Sequence, residues 1–228
     1  MKIAFYFILV SLCVTFSGCQ KDEELPVVLT SITTGGIFNG TIMEYVAGSV
    51  DSVQSLNTTI LGSSVVSSLG KFSMKLIVPP LSVMGTLSGV LVSDSTAMTG
   101  SFYMNSFKGQ SVTGELKKCN FATDTLNKPG MSYALFVYSD RAFTMNGMRN
   151  QTSTWGNKTY SYDNNYDVAI NKGWNELIVK LISYNETTTS LRSSVILTNT
   201  ITADLQWRNF KHSVSFAPKR KSNLKMDF

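Results

Sequence analysis

Phe72-Ser73-Met74-Lys75-Leu76-Ile77-Val78 sets a large apolar side chain at every second position, with a serine and a lysine between the first three. Successive side chains of an extended chain point to opposite faces. The spacing therefore predicts a half-buried strand with Phe72, Met74, Leu76 and Val78 inward and Ser73 and Lys75 in solvent. The same period recurs along the chain. Ile201, Ala203, Leu205 and Trp207 alternate with Thr202, Asp204, Gln206 and Arg208, and Leu177, Val179 and Leu181 alternate with Glu176 and Lys180. Tyr133 to Tyr138, Tyr-Ala-Leu-Phe-Val-Tyr, is apolar in both registers, as a central strand covered on both faces would be. No window of twelve residues has convincing helical spacing, and the abundance of Ser, Thr, Val and Ile weighs against helix. The expected class is all-β: an antiparallel β-sandwich, or two small sandwiches in series.

Turn residues punctuate the runs at Gly35-Gly36, Asn39-Gly40, Pro79-Pro80, Lys128-Pro129-Gly130, Asn146-Gly147 and Asn171-Lys172-Gly173. The Asn-Gly pairs predict tight hairpins, because both residues tolerate positive φ. Asp, Asn, Lys, Pro and Gly cluster between Thr123 and Gly130, which predicts a first β-sandwich region at 28–125 and a second at 126–215, before a basic tail at 216–228.

The amino terminus follows another pattern. Met1-Lys2 precede an apolar run from Ile3 to Phe16, broken by Ser11 and Thr15 and followed by the small residues Ser17 and Gly18. That is the layout of a secretory signal, and charge beginning at Lys21 leaves the run short of the ~20 residues of a membrane span. Phe16-Ser17-Gly18-Cys19 resembles the lipobox of bacterial lipoproteins. The resemblance implies a signal peptide at 1–18 and a lipid on Cys19, where two or more acyl chains would anchor the protein to a membrane. Gln20-Lys21-Asp22-Glu23-Glu24 is similar to the export signal of Bacteroidota surface lipoproteins. It implies an outer-membrane location facing the cell exterior, with residues 19–27 as the tether.

The body of the chain carries a second resemblance. Gly48-Ser49-Val50-Asp51-Ser52-Val53, followed by Gly70-Lys71-Phe72-Ser73-Met74-Lys75-Leu76 and Pro79-Pro80, looks like uncharacterised Bacteroidota lipoproteins with transthyretin-like sandwich segments. Tyr138-Ser139-Asp140 and Asn171-Lys172-Gly173-Trp174-Asn175 are similar to a strand and a turn of the same lipoproteins. These motifs are structural, so the resemblance implies a fold and a location and brings no catalytic residue with it.

Little in the composition points to catalysis. Removing Cys13 with the leader and lipidating Cys19 leaves no intrachain disulfide, so the core must hold by packing, with Cys119 as a small half-buried residue. The one histidine, His212, sits in a charged segment and makes a poor base for a nucleophilic triad, and one thiol and one histidine cannot build a zinc site. The net charge of +5 gathers in Lys211, Lys219, Arg220, Lys221 and Lys225. On an exported chain this reads as a solvated end, with no nucleic-acid partner. Leu224, Met226 and Phe228 alternate as in a membrane-barrel strand, but Pro218-Lys219-Arg220-Lys221 breaks it. No cofactor is expected.

Among Glu44, Asp51, Asp94, Glu115, Asp140, Asp163, Asp167, Glu176 and Asp204 no pair of carboxylates stands out for glycoside hydrolysis. Asp163-Asn164-Asn165-Tyr166-Asp167 offers loop-type oxygen ligands for calcium through Asp163 and Asp167, without EF-hand spacing. Trp155, Tyr160, Tyr162, Tyr166 and Trp174, interleaved with Thr, Asn and Asp, form the candidate glycan-binding set, since sugars stack on aromatic rings. Asp51-Ser52-Val53, Asp94-Ser95-Thr96 and Asp124-Thr125-Leu126 look like Bacteroidota O-glycosylation acceptors at Ser52, Ser95 and Thr125. The function expected is a lipid-anchored, non-catalytic binding or structural module whose partners are the membrane and either a glycan or another surface protein. A glycan binder predicts exposed coplanar aromatics. A structural or adhesive subunit predicts buried tryptophans and a free sheet edge, and a carbohydrate-active enzyme predicts a two-carboxylate cleft.

Overall fold

The computed structural model describes residues 36–56, 59–87, 92–122, 128–200 and 205–211. The expected leader at 1–18, the expected lipid site Cys19, the expected tether at 19–27, Ile201 to Asp204, His212 and the basic tail lie outside the described residues. The fold is all-β, as the alternation predicts. Its only helical element among the described residues is a 3₁₀ turn at Leu81–Val83.

The strands are β1 (Ile37–Thr41), β2 (Ser52–Leu56), β3 (Ile60–Val65), β4 (Lys71–Lys75), β5 (Gly85–Thr86), β6 (Met98–Ser101) and β7 (Tyr103–Lys108). They continue with β8 (Ser111–Cys119), β9 (Ser132–Ser139), β10 (Phe143–Trp155), β11 (Lys158–Ile170), β12 (Gly173–Glu186), β13 (Ser190–Thr198) and β14 (Gln206–Lys211). β1 and β4 form a two-stranded antiparallel sheet, and the other strands form one of twelve, ordered β10-β11-β13-β12-β9-β8-β7-β2-β3 along its main path. β8 and β9 share a single residue pair, Cys119 with Tyr133, so the large sheet turns there into two wings. β14 pairs with β8 on one side of that joint and β6 pairs with β9 on the other. The result is a sandwich-like arrangement.

β9 is the wall between two cores, which is why Tyr133 to Tyr138 is apolar in both registers. Phe136 and Tyr138 face an aromatic core with Phe38, Phe72, Phe102, Trp174 and Trp207. Val137 faces an aliphatic core with Leu177, Val179, Leu181, Val195, Leu197, Val168 and Ile170. In the aromatic core Phe38 meets Phe136 edge-on at 4.8 Å, and Phe136 stacks on Trp207 at 5.7 Å. Such ring pairs contribute about 0.5–1.5 kcal/mol each beyond the area they bury.

The quoted stretch folds as its spacing predicts through Leu76. Phe72, Met74 and Leu76 are buried, but Val78 is exposed, because the strand ends at Lys75 before Pro79-Pro80. The boundary near residue 125 is crossed several times: β14 pairs with β8, β6 pairs with β9, and the aromatic core draws Trp174 and Trp207 from the second half.

The Asn-Gly pairs are not hairpins. Asn39-Gly40 lies inside β1 and Asn146-Gly147 inside β10. Gly40 is there for space, since a Cβ would lie 2.5 Å from Phe72 Cζ and Trp207 Cδ1. Gly147, at φ +112°, sits opposite the ring of Tyr166. Tight two-residue hairpins lie instead at Gly109-Gln110, between Lys108 and Ser111, and at Gly156-Asn157, between Trp155 and Lys158, each with its glycine in the first central position at φ +59° and +58°.

Asn171-Lys172 does connect β11 to β12, yet these strands are not neighbours. β13 lies between them, parallel to β11 and antiparallel to β12. Buried Asn175 fixes the splayed turn: its Oδ1 accepts from Asn171 N at 2.9 Å and its Nδ2 donates to Asn171 O at 2.8 Å.

Candidate functional site

The structure divides the five candidate aromatics. Trp174, 3% exposed, and Tyr166, 9% exposed, are core residues, so the expected five-ring platform is corrected to three rings. Trp174 packs edge-on against Tyr138 and Phe102, and no sugar face could reach it. Trp155, by contrast, is 80% exposed at the hairpin tip. Tyr160 and Tyr162 are half-buried and share a face of β11 with Tyr166, because residues two apart on a strand point the same way.

Sequence reasoning missed three neighbours of this tip. Lys158 Nζ lies 2.5 Å from Glu186 Oε1, bridging β13, and 5.8 Å from the centre of the Tyr160 ring. Tyr184 donates from its hydroxyl to the other oxygen of Glu186. Burial, with Tyr160 adding to it, pushes the Tyr162 hydroxyl above its ordinary pKa, so the ring stays neutral at physiological pH.

The calcium reading is corrected as well. Asp163 to Asp167 is not a loop but the middle of the 13-residue strand β11. Four residues along a strand separate the two carboxylates by roughly 13 Å, too far to share one cation. Asp163 is instead held by Arg192 Nη2 at 3.0 Å.

Of the glycosylation candidates, Ser52 lies within β2, whose backbone is paired with both β3 and β7. Ser95 is exposed in a turn where Asp94 Oδ1 accepts from Thr96 N at 2.9 Å and from Thr96 Oγ1 at 2.6 Å. Thr125 lies outside the described residues.

Two carboxylates do share a partner. Arg141 pairs with Asp140 at 2.9 Å and with Asp94 at 3.6 Å. The hydrogen bonds from Thr96 hold Asp94 below its ordinary pKa, and the guanidinium of Arg141 does the same for Asp140. Both groups stay ionised at neutral pH, the opposite of what a proton donor to a glycosidic oxygen needs.

The feature that sequence reasoning did not locate is the edge of β10. Thr144 directs both backbone groups away from β11, its N–H to Ser93 Oγ and its carbonyl to Ser93 N, each at 2.9 Å. Alternate residues of a strand share that direction. The antiparallel bridge of Val92 to Met145 carries that cover as far as Asn146, so Met148, Asn150, Thr152 and Thr154 present an N–H and a C=O each along an edge that no strand covers among the described residues. The side chains of these four residues are all exposed. The signal was present in Asn146 to Trp155, which is polar in both registers, as only a strand with few buried contacts can be.

Set against known proteins, the chain finds no relative: no family model, no curated protein and no solved structure matches it.

Proposed function

We propose that this protein is a non-catalytic structural or binding module, held at a membrane surface through Cys19, that makes its contacts by adding a strand to the edge of β10. The observation that carries the reading is that edge: outward backbone groups on four alternate residues from Met148 to Thr154, with no proline and Arg149 as the one charge between Asn146 and Trp155. Most proteins protect such edges with lysines, prolines, bulges or a covering loop, and an unprotected one pairs readily with another chain. The burial of Trp174 and Trp207 agrees with a structural subunit more than with a sugar platform. The lipid anchor rests on the Phe16-to-Glu24 pattern, which implies the outer face of an outer membrane.

Native electrophoresis of the detergent-extracted full chain tests the reading, run beside Cys19→Ala and Asn150→Pro with mass analysis of the amino-terminal peptide. Asn150 points its N–H outward, so proline there blocks a docking strand without removing a bond to β11. The wild type is expected in a species larger than a monomer, Asn150→Pro as a monomer that melts normally, and the acyl groups on Cys19. A monomeric wild type would remove the edge from the reading, and an unlipidated amino terminus would remove the anchor.

A glycan-binding accessory is the second reading, favoured by one observation: exposed Trp155 shares a face with half-buried Tyr160 and Tyr162. It expects Trp155→Ala to abolish retention on a polysaccharide column while the melting temperature holds.

A further inference from the structure

Resting on the glycan reading, the second of the two above, we propose that the sheet face at the β10–β11 hairpin binds an acidic polysaccharide, with Arg149 taking a carboxylate of the polymer while Trp155, Tyr160 and Tyr162 carry its sugar rings. Three features of that face select this class of ligand.

The first is that the strands outrun their core. β10, β11, β13 and β12 lie side by side, and on one face Met145, Tyr166, Val168, Leu181, Val195 and Leu197 belong to the aliphatic core. The strands do not stop there. On the same face the register runs on through Arg149, Gln151, Ser153 and Trp155 on β10 and through Asn164, Tyr162 and Tyr160 on β11. From Asn164 to Lys158 this is about 20 Å of extended chain. None of its side chains belongs to a hydrophobic core, so the rings here are a surface and not packing.

The second is how the rings are spaced. Tyr160 and Tyr162 are two residues apart on one face, roughly 7 Å. Trp155, opposite Lys158, stands diagonal to Tyr160, within reach of an aromatic side chain. Tyr184 lies in the row of Tyr162, with Ser193 between them. The positions between the rings are Ser153, Gln151 and Ser193, which pair with hydroxyls. Serine is depleted where two proteins meet, so the mixture suits a sugar chain better than a protein.

The third is charge. Lys158 is neutralised by Glu186, whereas Arg149 has no carboxylate partner among the described residues. Arg149 is half-buried, and with the Gln151 amide turned to satisfy both groups its Nε and Nη2 donate to the Gln151 oxygen at 3.3 and 3.0 Å. That fixes one side of the guanidinium and leaves the Nη1–Nη2 side, whose parallel N–H groups match the two oxygens of a carboxylate.

Affinity electrophoresis of the detergent-extracted full chain tests the proposal, through gels holding polygalacturonate, polymannuronate, the methyl ester of each, or dextran sulfate. Acid and ester share a backbone and differ in charge. The wild type is expected to bind at least one acid about tenfold more tightly than its ester, because a charge-assisted contact separates them. Arg149→Gln is expected to bring acid and ester to one value, and Trp155→Ala to lose both. Arg192→Gln removes an exposed cation from the opposite face of β13 and is expected to change neither. All three positions lie outside the cores, so the melting temperatures should hold. Equal binding of acid and ester, lost together in Trp155→Ala, would overturn the acidic class and leave the glycan reading standing. Dextran sulfate bound as tightly as the carboxylated polymers, or equal weakening by Arg149→Gln and Arg192→Gln, would overturn the match between Arg149 and a carboxylate. Binding to none of the gels would overturn the glycan reading as well.

Discussion

The two ends of the twelve-stranded sheet are finished differently. At the β3 end the outer strand is covered: Ile77 N donates to Leu61 O at 2.9 Å and Ser73 N to Ser64 Oγ at 3.2 Å. Gly62 lets that cover approach, because a Cβ there would lie 2.7 Å from Lys75 O. At the β10 end nothing among the described residues lies beyond Thr144 and Met145 except Val92 and Ser93. A sheet edge exposes the same backbone groups wherever it falls, so the difference separates an end that the chain covers from one that stays uncovered among the described residues.

The sharpest contrast between the ends comes from two tryptophans. Trp207→Ala removes a ring stacked on Phe136 and set edge-on to Phe72 at 5.3 Å, and is expected to cost about 3–5 kcal/mol. Trp155→Ala, at an exposed hairpin tip, is expected to change stability by less than ~0.5 kcal/mol. Chemical denaturation of both variants checks the pair, and equal losses would break the distinction between closed and open ends.

Next in size is the asymmetry within β10 itself. Gln151→Pro deletes an N–H directed at β11 and leaves its acceptor bare, for a loss of about 1–3 kcal/mol. Asn150→Pro, one residue away, is expected to lose less than ~0.5 kcal/mol. Parallel melting curves that fall equally would mean that the two faces of the ladder are not assigned as above. In the turn that splays β11 from β12, Asn175→Ala leaves the N–H and carbonyl of Asn171 without their partner, and about 1–2 kcal/mol should follow. The smallest effect is electrostatic. Asp94 and Asp140 are held below their ordinary pKa, so what they contribute is complete above about pH 4 and is lost as pH falls through their lowered values. Melting temperatures at pH 5 and pH 3 should therefore differ less in Asp140→Asn than in the wild type, and the gap should close in high salt, because these groups are exposed.

What could be read from residue types was whatever a single strand decides for itself. Phe72, Met74 and Leu76 declared their face, and Tyr133 to Tyr138 declared that both faces were covered. It could not be read that one strand was covered by two different cores, since alternation says that a side chain is buried and not with whom. Asn-Gly failed for a similar reason: glycine is chosen sometimes for positive φ and sometimes for the room a ring needs, as at Gly40. Trp174 and Tyr166 were indistinguishable by type from Trp155, and only their neighbours separate core from surface. The open edge is the hardest of all to see in sequence, because the polar run from Asn146 to Trp155 says that the strand buries little and not which of its sides lacks a neighbour among the described residues.

The placement of β13 between β11 and β12 bears on when the molecule can become whole. Synthesis delivers the chain amino terminus first, and a ribosome that has reached residue 186 has released two long strands that belong on either side of a third not yet made. The aromatic core waits longer still, for Trp207 on β14, as does the small cluster of Cys119 and Phe121 for Phe210. Maturation is therefore set by the arrival of the last residues rather than by steady accretion from the first. A chain cut short before β13 would not be a smaller version of this protein, but a parted sheet with an unfilled gap.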